Sequence, residues 1–93
     1  MKEIMTELAL IEGSFKVADA REILDKLIDF KINFHRIRSL ESELRFGEKD
    51  VHSQKRIKAL QACKVQLEAL LQEASAGSGE LEINTTIQIN IKP

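Results

Sequence analysis

The sequence predicts a mainly α fold: a long antiparallel helical hairpin plus one C-terminal β-strand, assembling as a dimeric four-helix bundle with a small sheet. Three observations lead there. Apolar residues recur at alternating steps of four and three from Ile23 to Leu44. A second helical stripe runs from Ile57 to Ala74. A strict apolar–polar alternation then fills Leu81 to Lys92. Ninety-three residues suffice for one domain, read here as 1–93.

Residues 1–15 form a short first element of two readings. Ile4, Leu8 and Ile11 fit one helical face, whereas Leu8-Ala9-Leu10-Ile11 fits a short buried strand. Glu12-Gly13-Ser14 is expected to break it.

The first helix is expected over 17–44. Ile23, Leu27, Phe30, Phe34, Ile37 and Leu44 make one face, with Glu41 as its interruption. Leu24, Ile28 and Ile32 form a second row beside it, and Leu40 widens the apolar surface. One neighbouring helix covers one stripe, so the doubled stripe calls for a second neighbour.

Arg45 to Asp50 reads as the turn, with Gly47 as helix C-cap and Asp50 as N-cap of the next helix; Ser53 is the alternative cap. Phe46 is expected to plug the hairpin end. The second helix, 51–76, carries Ile57, Leu60, Lys64, Leu67, Leu71 and Ala74 on one seam, with Cys63 as a small buried filler beside it. A short connection makes the two helices antiparallel neighbours.

Gly77-Ser78-Gly79 ends the helix, and a strand follows over 80–92. Its backbone N–H and C=O groups need a partner strand. Either the first element or the same strand of a second copy supplies it. Ile23, Leu27, Phe30, Phe34, Ile37, Ile57, Leu60, Leu67 and Leu71 are therefore expected to form the intrachain seam. Leu24, Ile28, Ile32, Leu81, Ile83, Ile87, Ile89 and Ile91 are expected to form the surface between copies. On that basis Ile28→Lys would break the dimer and largely spare the hairpin.

Charge is uneven. Residues 31–64 hold nine Lys/Arg against four Asp/Glu, while 1–30 hold four against seven and 65–93 one against four. The basic middle suits an anionic partner or the acidic ends of a second copy. Arg45, Lys49, Lys55, Arg56 and Lys58 are the candidate anion contacts at the hairpin tip. No helix-turn-helix, zinc-finger or RNA-binding aromatic signature accompanies them.

His35 and His52 are not expected to meet, because a turn near residue 48 sets His35 opposite residue 60. No nucleophile–base pair, ligand set or phosphate loop is readable, so neither an enzyme nor a bound cofactor or metal is expected. The single Cys63 and the interrupted apolar start (Glu3, Thr6, Glu7) point to a cytoplasmic protein without a leader or membrane span. The functional expectation is a non-enzymatic structural, interaction or regulatory protein acting as a homodimer, with a further protein partner in view. Nucleic-acid binding through the basic tip is the alternative.

Overall fold

The computed structural model describes residues 4–77 and 79–93. The order of elements is β1 (Ile4–Lys16), α1 (Val17–Phe46), α2 (Val51–Ala76) and β2 (Glu80–Ile91). The expectation of one strand is thereby corrected. The first element is itself a strand of 13 residues, it runs through Glu12-Gly13-Ser14 without a break, and it pairs antiparallel with β2. The partner that β2 requires comes from its own chain, so strand pairing no longer calls for a second copy.

The register explains why β1 was ambiguous. Ile4, Thr6 and Leu8 stand opposite Ile91, Ile89 and Ile87, whereas Ile11, Gly13 and Phe15 stand opposite Thr85, Ile83 and Leu81. Residues directly opposite share a face of the sheet. The apolar set of β1 therefore switches from even to odd positions. A register shift between Ala9 and Ile11 absorbs the switch, with Leu10 as the extra residue of a β-bulge. The bulge keeps one side of the ribbon apolar along its whole length.

The helices end where their caps predict. Gly47 takes the left-handed conformation (φ 75°), and its N–H donates to the Glu43 carbonyl at 2.9 Å. Asp50 Oδ2 accepts from the Ser53 N–H at 3.0 Å, capping α2. At the other end, a Cβ on Gly79 would lie 2.7 Å from the Ala74 carbonyl oxygen, so only glycine lets the chain turn so closely past the end of α2. No loop separates β1 from α1.

The face that α1 turns to α2 is the row Ala20, Leu24, Ile28, Ile32, His35 and Ser39. Ala20, Ile32, His35 and Ser39 are buried and Leu24 and Ile28 half-buried. Against it α2 sets Ser53, Ile57, Leu60, Lys64, Leu67, Leu71 and Ala74, of which Ser53, Ile57 and Leu71 are buried and the others half-buried. Lys64 donates to Asp29 at 2.6 Å and Arg21 pairs with Glu68, each reaching across the seam at its exposed margin. Pairs this exposed contribute little to stability, and the seam residues between them carry the hairpin.

The row expected between copies is thus the intrachain seam, and half of the expected seam lies outside. The physical reason is size. Small or polar residues at Ala20, His35 and Ser39 let the helices approach closely and bond across the gap, while Phe30 and Phe34 on the other row would hold them apart.

The hairpin is also offset. Gln54 donates to Ser39 at 2.7 Å and His35 meets Ser53, so the first turn of α2 lies beside residues 35–39. The last seven residues of α1, about 10 Å of helix, project beyond it, and the short connection doubles back. Phe46 does not plug the tip but is 75% exposed.

The molecule is flat and open, measuring 51 × 37 × 15 Å. A helix of about 45 Å and a ribbon of about 40 Å placed end to end would exceed that length. The ribbon instead turns aside from the hairpin axis and makes its contacts with α1. The radius of gyration is 16.9 Å, against roughly 12 Å for a compact domain of this length.

Two outcomes follow for folding. Leu71→Ala, at a fully buried position, is expected to cost about 3 kcal/mol in denaturant titration. Ile28→Lys is expected to abolish the helical circular-dichroism signal, and Phe30→Lys to preserve it. The reverse pattern would refute this assignment of faces.

Candidate interaction surface

The outward face of α1 carries the row of three- and four-residue steps expected for the seam. Leu27, Phe30, Phe34, Ile37 and Leu44 are all exposed, Phe30 at 74% and Leu44 at 78%, and Leu40 flanks them. Ile23, nearer the ribbon, is half-buried. Spacings of three and four along more than four turns match the seam by which one helix receives another apolar element. Isolated exposed apolar residues are ordinary on any protein, but a contiguous row of leucine, isoleucine and phenylalanine marks a contact surface.

The apolar side of the ribbon supplies a second uncovered face. Near the helices Ile11, Phe15, Leu81, Ile83 and Thr85 are half-buried. Beyond them Ile4, Leu8, Ile87, Ile89 and Ile91 are exposed. Of the residues expected to meet a second copy, Leu81 and Ile83 therefore lie partly covered within the chain. Ile87, Ile89 and Ile91 lie open, and Leu24, Ile28 and Ile32 are taken by α2.

Cations border the outer row of α1. Lys31 Nζ lies 4.7 Å from the centroid of the Phe34 ring and the Arg38 guanidinium 5.8 Å from it. Both charges lie within cation–π range of that exposed ring. The five tip cations are all exposed but do not converge. Lys49 and Lys58 border a cavity of about 410 Å³ with Arg36 and Glu43. Arg45 borders another, with Arg38, Glu41 and Asp50. Lys55 and Arg56 line neither.

A polar cluster that sequence reasoning missed lies beneath this end. His35 is 4% exposed, its Nδ1 stands 3.2 Å from the Ser53 hydroxyl, and the ring centroids of His35 and His52 are 6.1 Å apart. The expectation that the two histidines stay apart is corrected by the offset of the hairpin. Ser53 also hydrogen-bonds Asp50 and holds its carboxyl below the usual range.

The order Asp50–Ser53–His35 puts the serine in the middle. Nucleophilic catalysis needs the histidine there, between acid and hydroxyl, and an accessible nucleophile. Ser53 is fully buried. The cluster therefore reads as a structural clamp on the turn. Cys63, expected to be buried, is exposed. Among the described residues no group of three or more His, Cys, Asp or Glu is placed to hold a metal ion, and no helix is long and apolar enough to cross a membrane.

Comparisons with protein-family models, curated proteins and solved structures returned no match.

The buried histidine carries a pH signature. Burial first, and then the nearby charges of Lys31, His52, Arg56 and Arg38, push its pKa below the ordinary value near 6.5. Within the window between the two values the unfolded chain binds the proton that the folded chain refuses, so stability rises with pH there and falls as pH drops. The melting temperature is expected to decline below about pH 6.5, well before carboxylates titrate. His35→Gln should remove that early decline, and an unchanged profile in the variant would count against the assignment.

Proposed function

We propose that this is a non-enzymatic interaction protein that works as a homodimer, using the outer row of α1 and the apolar side of the ribbon as its contact surface. The observation that carries this reading is an excess of uncovered surface on a chain whose α1 and ribbon each expose a row of apolar residues. The chain exposes 7408 Å² for a mass of 10.6 kDa, whereas a compact monomer of that mass exposes roughly 5,500 Å². The surplus of roughly 1,900 Å² is in the range that one partner of a large obligate interface contributes.

A second copy is the simplest covering, because every molecule carries both faces in equal number. A structural or regulatory role, such as an adaptor presenting its charged hairpin tip, follows from a dimer whose apolar faces are spent on self-association. Light scattering on a sizing column is expected to give about twice the 10.6 kDa chain mass at low and high salt alike. Phe30→Glu with Ile37→Glu should weaken association at least about 100-fold and leave the helical signal intact. A monodisperse wild-type monomer would refute the dimer.

Polyanion binding at the tip is a second reading, favoured by the juxtaposition of Arg36, Lys49 and Lys58 around one cavity. It requires affinity for single-stranded or duplex nucleic acid that falls steeply with salt and is lost in Lys49→Glu with Lys58→Glu. Binding indifferent to salt and to these substitutions would rule it out.

A further inference from the structure

We propose that the cleft between the middle of α1 and the start of α2 binds a phosphoryl group, held by Lys31, Arg38 and His52 with the buried His35 beside them. The inference is independent of the dimer, since the cleft shares only Phe34 with the contact surface.

The cleft measures about 470 Å³ and is lined by Lys31, Phe34, His35, Arg38, Asp50 and His52. Small-molecule sites occupy about 300–1,000 Å³. On α1, Lys31, His35 and Arg38 recur at steps of four and three, which sets them on one side of the helix. The offset of the hairpin then brings His52 to His35, with ring centroids 6.1 Å apart.

The cations of this cleft are uncommitted. The three ion pairs among the described residues use Arg21, Lys26 and Lys64. Lys31 and Arg38 take part in none of them and lie 4.7 and 5.8 Å from the centroid of the Phe34 ring. That ring gathers two positive charges at the edge of one cavity. A phosphoryl group supplies the negative charge and the several acceptor oxygens that such a pair can meet. Asp50 is the one carboxylate in the wall, and it is engaged. It accepts from the Ser53 N–H at 3.0 Å and from the Ser53 hydroxyl. Because Asp50 already takes that N–H at the start of α2, side-chain cations rather than the helix end hold the anion.

A buried polar group in the same wall lacks a partner. His35 is 4% exposed. A hydroxyl has one proton to give, and that of Ser53 goes to the Asp50 carboxylate, which only accepts. The Ser53 oxygen therefore receives the Nδ1–H of His35 across 3.2 Å, and the neutral ring keeps its proton on that nitrogen. Nε2 is left as a buried lone pair without a hydrogen-bond partner. Protonating it creates a buried cation that Lys31 and Arg38 of α1 and His52 and Arg56 of α2 all oppose. An oxyanion seated among those charges reverses the balance. By reciprocity, the protonated ring then strengthens the hold on the anion.

The test follows the imidazole signals of His35 and His52 by NMR in the full chain, at constant ionic strength, as inorganic phosphate is added. Saturable shifts of both rings are expected, with no such response to chloride. Lys31→Gln with Arg38→Gln should weaken binding at least about tenfold. Both side chains are exposed, so the helical circular-dichroism signal should persist. Phenyl phosphate assigns the source within the proposal: affinity at least equal to that of phosphate supports an esterified phosphoryl group, and lower affinity supports the free anion. Saturating sulfate, a dianion throughout the histidine range, should raise the pKa of His35 read from the same signals.

Shifts that chloride reproduces, or an unchanged affinity in the Lys31 and Arg38 variant, would overturn the site. So would a His35 pKa that sulfate leaves unmoved. Loss of binding in Lys49→Gln with Lys58→Gln, and not in the Lys31 and Arg38 variant, would assign the anion to the other cavity and overturn it as well.

Discussion

The antiparallel pairing of β1 with β2 is the constraint on which the rest of the architecture depends. It ties the beginning of α1 to the end of α2, and so closes the open end of the helical hairpin. Because β1 enters α1 without a loop, the ribbon's direction is set by the first turn of that helix. The bulge at Leu10 holds the apolar residues of β1 on the same side as those of β2. Without that phase correction one half of the ribbon would turn its apolar residues to the opposite face. The single continuous surface left open beside α1 would then be lost.

Only Ala20, Ile32, Ile57 and Leu71 are buried apolar residues among those described. The large uncovered faces on α1 and the ribbon and this thin core are two sides of one observation.

The sequence made the helices, their caps and the alternation of β2 legible, because each depends on local chemistry: Gly47 for a left-handed residue, Asp50 for free N–H groups, β-branched residues at every second position. It also made the inner face of α2 legible, where a single apolar row leaves one choice. On α1 two rows compete with similar hydrophobicity, and periodicity alone favoured the heavier one. What selects the inner row is steric and polar. Ala20, His35 and Ser39 permit close approach and complement Ser53 and Gln54 across the gap, a property of the pair of helices rather than of either one. The two readings of residues 4–11 have a similar origin, since a bulge looks like a loss of period until the partner strand is known. The histidine cluster was hidden by the offset of the hairpin, which no spacing within α1 or α2 encodes.

The pairing of strands from opposite sides of the helical hairpin also orders events in time. The helices and their turn form from near neighbours, on the timescales of local contacts. The ribbon must wait until both helices have brought Lys16 beside Glu80, a closure across the whole hairpin. During synthesis β1 emerges first and β2 last, so an amphipathic strand stays unpaired while some sixty residues of chain are made. The acidic residues Glu7 and Glu12 then serve a second purpose, making the waiting strand a poor template for aggregation with its own copies.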